Sequence, residues 1–186
     1  MYDCNQHIKK ESAKLLVLGL DVSTSVTGIC LLDSKIEPDD KGSHILYLDR
    51  IDFKDCKSFF EKADKVQKVL SNHVSNDSWK IDTFALEEPL LGFSKGMSSA
   101  ATITTLMRFN GIVSYIGRCI FNVEPTYISA AHARKLCGIK LQRTSIAGIP
   151  QKEQVFRHML ANDLKHVKWP VKKSGLPVRS EEHTSE

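Results

Sequence analysis

Residues 15–28 read LLVLGLDVSTSVTG. The stretch from Leu15 to Leu20 is a near-continuous apolar run, the pattern of a strand buried on both faces. The run stops at Asp21, and small polar residues follow it: Ser23, Thr24, Ser25, Thr27 and Gly28. A second apolar run, Ile29 to Leu32, predicts another strand. Asp33 to Ser43 has the Pro, Gly and Asp content of a turn, and His44 to Ile51 predicts a third strand. Short connections between the three imply an antiparallel meander. A carboxylate at the end of a buried strand is costly to desolvate unless something compensates it. Asp21 is therefore the first candidate functional residue, with a bound cation or exposed turn amides as the compensating groups.

Working outward, residues 55–74 suit an amphipathic helix, with Phe59, Phe60, Ala63, Val66, Val69, Leu70 and Val74 at helical spacing. Ile81 to Leu86 is a short apolar strand that runs into Glu87-Glu88-Pro89, followed by a Gly- and Ser-rich loop. Ser98 or Ser99 can cap a long helix over 100–121, whose apolar face includes Ile103, Leu106, Ile112, Val113, Ile116 and Ile120. Val123 to Ile128 predicts a fifth strand. Ser129 then caps a short helix closed by Gly138, residues 139–150 read as a loop, and Pro150 opens a helix through Asn162. The order β-β-β-α-β-α-β-α-α predicts an α/β fold, a five-stranded mixed sheet with helices on its faces. No repeat or low-complexity segment divides the chain, so one domain is expected over residues 1–178.

Composition narrows the classes. At 186 residues and 41% hydrophobic content the chain can bury a proper core. No apolar run approaches the ~18 residues of a membrane span, and Met1 to Lys14 lacks the apolar centre of a secretory signal. The five cysteines, Cys4, Cys30, Cys56, Cys119 and Cys137, form no CxxC pair. Cys30, Cys119 and Cys137 sit in apolar-periodic segments, where a thiol acts as a small hydrophobe. A reduced, intracellular protein is expected, with neither disulfides nor a zinc site. Seven histidines are scattered without ligand spacing and read as surface or satisfied core residues.

Charge is uneven. Residues 1–100 carry 13 Lys and Arg against 16 Asp and Glu, whereas residues 101–178 carry 12 against only three, Glu124, Glu153 and Asp163. A one-sided basic half is the footprint of a polyanion binder; a Lys-rich solvated face is the plainer alternative.

Glu87 is the second candidate. It too terminates a buried strand, and if the first and fourth strands are neighbours it emerges beside Asp21. Two carboxylates brought together repel and raise one another's pKa unless a cation sits between them. Mg²⁺ or Mn²⁺ suits such an all-oxygen site, completed by waters and substrate phosphates. A helix cap or turn former is the alternative role for either acid.

A resemblance sharpens this. The segment from Leu18 to Gly28 resembles the first motif of RuvC-type Holliday junction resolvases, and Phe84-Ala-Leu-Glu-Glu-Pro89 resembles their second. The stretch from Ser98 to Gly111 is similar to the family's long helix, and Gln151-Lys-Glu-Gln-Val155 to its later segment, in which a lysine opens a helix. Together these span about residues 14–160. The resemblance implies an RNase H-like fold and a two-metal endodeoxyribonuclease acting on branched DNA, with four acids holding two divalent ions about 3.5–4 Å apart. Asp21 matches the acid shared by both ions, Glu87 the second acid, and Lys152 a basic residue near the scissile strand. Arg134 and Lys135 are DNA contacts by position only. Leu90, Leu91 or Phe93 is placed where an apolar wedge can enter a junction, or packs under the long helix. A homodimer is expected by the same analogy.

The sequence departs from the family at its end. The last two acids of the family lie on a helix after the lysine segment, and no such pair occurs here: Asp163 is the one acid between Glu153 and residue 179. Arg179 to Glu186 matches the translated sequence of a common sequencing adapter, so the natural sequence is expected to stop near Val178, with the final helix missing. Two alternatives remain. One is a non-catalytic RNase H-like module for branched DNA. The other is an ATP-binding domain of the actin, heat-shock-chaperone and sugar-kinase superfamily, whose phosphate loop also sets an aspartate before a Ser/Thr-rich hairpin.

Overall fold

Three strands in succession form the meander: β1 (Leu16–Asp21), β2 (Val26–Asp33) and β3 (Ile45–Asp52). The computed structural model describes residues 15–39, 41–77, 79–89 and 100–167. After β3 come α1 (Phe59–Asp77), β4 (Thr83–Glu87), α2 (Ala100–Phe121), β5 (Pro125–Ile128), α3 (Ala130–Leu136), α4 (Thr144–Ala147) and α5 (Gln151–Ala161). The strands make one mixed sheet in the order β3-β2-β1-β4-β5. β1 is antiparallel to β2 and parallel to β4, β2 is antiparallel to β3, and β4 is parallel to β5.

Period-two burial explains why these segments are strands. Leu16, Leu18 and Leu20 of β1, Ile29 and Leu31 of β2, and Phe84 and Leu86 of β4 all turn to one face and are buried there. α1 and α2 cover that face, sending Val66, Leu70, Phe109 and Val113 into the same cluster. Phe109 is its centre, with Phe53 and Phe59 meeting it edge-on at ring-centroid distances of 5.4 and 5.6 Å. Gly117 lets α2 approach the sheet, because a Cβ there would lie 2.3 Å from the Phe84 ring. The second face of β1 carries Val17 and Gly19, which are only half-buried. The expectation of a strand buried on both faces thus holds for one face alone.

The β1–β4 pairing is reinforced at its starting end. The Asp82 backbone N–H donates to the Leu16 carbonyl at 2.9 Å, and the Leu16 N–H donates back to the Asp82 carboxylate at 2.9 Å.

Some sequence expectations are corrected here. β2 begins at Val26, three residues earlier than the apolar run suggested, because Val26 and Thr27 already pair with Asp52 and Ile51 of β3 and Thr27 is buried. Phe60 is 77% exposed, since one α-helical face cannot bury two adjacent phenylalanines and Phe59 takes the inward position. The loop 139–150 contains the extra one-turn helix α4, closed by the left-handed Gly148. Cys119 and Cys137 are exposed free thiols, and among the described residues Cys30 and Cys56 are the part-buried ones. His44 and His166 depart from that expectation: each has a buried Nδ1 with no hydrogen-bond partner among the described residues. Ser129 does cap α3, accepting from the His132 N–H at 3.3 Å, and Gly138 follows it with φ 67°. Phe93, Leu90, Leu91, the capping serines and the tail from residue 168 lie outside the described residues.

Candidate functional site

Parallel pairing fixes what stands at the carboxyl end of the two central strands. The register runs Val17↔Thr83, Leu18↔Phe84, Gly19↔Ala85 and Leu20↔Leu86, and each strand's next residue is an acid, Asp21 or Glu87. Side chains alternate, so both acids stand on the face opposite the core, above the small residues Gly19 and Ala85. Across β2, Gly28 is paired with Asp21, and a Cβ added there would be 3.6 Å from the Asp21 Cβ. A Cβ at that distance makes an ordinary van der Waals contact with Asp21.

The pair interacts. Both residues are exposed, yet the Glu87 carboxyl titrates above its ordinary value near 4.5. The main cause is partial desolvation at the strand end. Next come the negative charge of Asp21 and a hydrogen bond between the two side chains, both of which favour protonated Glu87. Arg134 and Lys152 act in the opposite direction, drawing the value down. Three residues singled out from sequence, Asp21, Arg134 and Lys152, therefore come within electrostatic reach of the fourth, Glu87.

The chain places the two cations by simple means. β5 ends beside Glu87, with Ile128 its register partner, so α3 starts at the acid end of the sheet and carries Arg134 there. Lys152 lies in the first turn of α5. That turn is tied down by Gln154, which accepts from the Gln142 N–H at 2.9 Å and donates to the Gln142 carbonyl at 2.9 Å and the Ile149 carbonyl at 3.2 Å. Lys135 is exposed on α3, where Arg134, Lys135 and Lys140 line a shallow concavity of about 350 Å³ with Ala131, Gly138, Ile139 and Leu141.

The turn after Asp21 is tightly held. Ser23 Oγ accepts from the N–H groups of Ser25 and Val26 at 3.3 and 3.2 Å. Lys62 of α1 donates to the Thr24 carbonyl at 2.7 Å. Two of the turn amides that could have compensated Asp21, those of Ser25 and Val26, are thus already engaged. Beside this turn Ser23, Thr24 and Ser25 face Ala101, Thr102, Thr105 and Leu106 of α2 across a hollow of about 490 Å³. Sequence reasoning missed this hydroxyl-lined feature, and Lys62 with it. The Ser/Thr content of both segments was visible, but not that α2 begins against the turn.

The donor set fits a hard divalent cation in type: two carboxylates, both oxygen donors, bearing like charge in contact. Among the described residues no group of three or more His, Cys, Asp or Glu is placed to hold a metal. Nor is any helix among them long and apolar enough to cross a membrane.

A five-stranded mixed sheet with an antiparallel meander, a parallel extension and flanking helices defines an RNase H-like α/β fold. Solved structures agree. RuvC of T. thermophilus in complex with a Holliday junction substrate matches with a TM-score of 0.56 and 10% identity, covering 86% of this chain and 84% of that one. Another Thermus thermophilus RuvC structure matches with a TM-score of 0.50 and 13% identity over 86% of each chain. The inorganic polyphosphate/ATP-glucomannokinase from Arthrobacter sp. strain KM matches at 0.40 and 15% identity, over 66% of this chain and 47% of that one, too loosely to carry weight. No protein-family model and no curated protein sequence matches. The shared property is the fold.

Proposed function

We propose that the chain is a divalent-metal-dependent endodeoxyribonuclease domain acting on branched DNA, with Asp21 and Glu87 as the catalytic, metal-holding acids. One observation carries this: two acids on one face, at the carboxyl ends of adjacent parallel strands, close enough that Asp21 helps to keep a proton on Glu87. A structural role gives no reason to set the charge of Asp21 where it disfavours ionisation of Glu87. The RuvC likeness of the fold supports the choice of chemistry.

The residues then take the following roles. Asp21 and Glu87 would hold Mg²⁺ or Mn²⁺ as carboxylates. The bound ions would acidify a coordinated water and stabilise the leaving 3′ oxygen. Lys152 and Arg134 offset the charge of the phosphate brought against two acids. Lys135, with Lys140 beside it, contacts the backbone of the same duplex, where phosphate contacts set position and salt sensitivity. Phe93 is retained as a junction wedge. A C2 homodimer working in an intracellular compartment completes the reading, because symmetric incision of two strands needs two sites.

The test is nicking of a synthetic four-way junction with Mg²⁺. Asp21→Asn is expected to abolish nicking while leaving junction binding intact; unimpaired cleavage by that variant would falsify the assignment. A second reading, a branched-DNA-binding module without catalysis, is favoured by the presence of only two of the four expected acids among the described residues. It predicts junction binding with no metal-dependent incision.

A further inference from the structure

We infer that Asn110 is a positioning residue that seats Glu87 by gripping the peptide group that follows it; the inference rests on Glu87 being a catalytic acid. Asn110 lies on the core-facing side of α2 and is only 4% exposed, between the buried Phe109 and Val113. Its Nδ2 donates to the Glu87 carbonyl at 3.1 Å. The other edge of the same peptide plane is also held, because the Glu88 N–H donates to the Ile128 carbonyl of β5 at 3.0 Å. Carbonyl and N–H of one peptide unit are thus fixed by different elements, from opposite sides. A fixed plane after Glu87 limits its ψ, and so the direction in which its side chain leaves the backbone.

The grip is itself supported. Ser114, also buried, donates from Oγ to the Asn110 carbonyl at 2.7 Å and stands 3.4 Å from Asn110 Oδ1. Tyr127 of β5 donates from its hydroxyl to Ser114 Oγ at 2.9 Å. The chain Tyr127–Ser114–Asn110–Glu87 carbonyl joins β5, α2 and β4 through polar groups placed in an otherwise apolar layer. Buried polar groups of this kind are tolerated when every member is bonded, and then fix one arrangement against its alternatives. The last member here is the backbone of a candidate metal-holding acid. Tyr127 is 47% exposed and anchors the outer end, whereas Ser114 and Asn110 are buried and bonded within the network, so seating β4 is the function their geometry allows.

The test compares Asn110→Leu, which keeps the volume and removes the donor, with Val66→Ala, a buried control on α1. Mn²⁺ affinity is measured by calorimetry, and amide hydrogen exchange is followed at Glu88. Asn110→Leu is expected to weaken Mn²⁺ binding about 10–100-fold, the usual effect of losing a group that orients a metal ligand. It should also speed exchange at Glu88 while Leu18 and Phe84 stay protected. Val66→Ala should leave Mn²⁺ affinity unchanged. Ser114→Ala, a milder cut in the same chain, gives a smaller loss in the same direction and replaces Asn110→Leu if that variant fails to fold. Parent-like Mn²⁺ affinity in Asn110→Leu, or an equal loss in Val66→Ala, overturns the inference. Should parent and Asp21→Asn bind Mn²⁺ alike, it is the metal-site reading that has failed. The positioning claim is then decided by Glu88 exchange alone, upheld if Asn110→Leu accelerates it and overturned if it does not.

Discussion

Replacing Asp21 by Asn should make the metal-free protein more stable. The negative charge of Asp21 is among the causes that push the Glu87 titration upward, so the pair repels wherever Glu87 is ionised. Two unit charges about 4 Å apart repel by ~1 kcal/mol in water and by ~4 kcal/mol at the effective dielectric of a protein surface. Both residues are exposed, so the lower figure applies, and Asp21→Asn should stabilise the fold by about 1 kcal/mol at pH 7 in EDTA. For a chain of this size that is a rise of roughly 2–4 °C in Tm. The pH dependence follows in sign. A carboxyl whose folded-state pKa is raised destabilises the fold above that pKa, and the penalty disappears as pH falls through it toward the ordinary value near 4.5. The advantage of Asp21→Asn should therefore shrink on acidification. Added Mn²⁺ should reverse the order. At about 100 times its Kd, Mn²⁺ stabilises the parent by ~2.7 kcal/mol and leaves the variant unmoved. Differential scanning fluorimetry across pH, with EDTA or Mn²⁺, reads all three effects. A variant less stable than the parent in EDTA at pH 7, or equally favoured at every pH, would refute the reasoning.

Gly117→Ala should lower stability by about 1–3 kcal/mol through overpacking, because the new Cβ falls 2.3 Å from the fully buried Phe84 ring; urea titration with an unchanged m-value would check it, and a neutral result would contradict the close approach of α2. Arg134→Ala and Lys152→Ala should each weaken junction binding more at low salt than at high salt. Each should reduce the slope of log affinity against log salt by about one phosphate contact's worth, and an unaltered slope in both would remove them from the DNA surface.

The parts of the fold that were legible in the sequence are those set by local periodicity. β1 and β4 announce themselves as short apolar runs, and each run's terminating acid follows from the rule that charge is not buried without compensation. Pairing β1 with β4 could only be supposed, since it is made across an intervening helix. Features governed by distant partners were not legible. The apolar face of α2 reads as including Ile103, Leu106, Ile112, Val113, Ile116 and Ile120; Val113 is fully buried and the other five are part-buried, but Phe109, Asn110, Ser114 and Gly117 complete the buried side without belonging to that stripe. A polar residue reads as solvent-facing until a carbonyl 23 positions earlier in the chain takes its amide. α4 spans four residues, too few to show any helical period. Phe59 and Phe60 both fit the stripe, and only packing against Phe109 chooses between them. The basic half reads as uniform in the sequence; the fold brings Arg134 and Lys152 near Glu87 because β5 and the Gln154 clasp aim α3 and α5 toward it.

The paired hydrogen bonds between Leu16 and Asp82 lie at the opposite end of the sheet from the two acids. Strands β1 and β4 have no hairpin between them to dictate how far one slides along the other. A slide of one residue would turn Glu87 to the wrong side of the sheet, and a slide of two would separate the acids by a further ~6.6 Å. Asp82, clasping the first residue of β1, acts as an alignment pin for a pair of side chains it never touches.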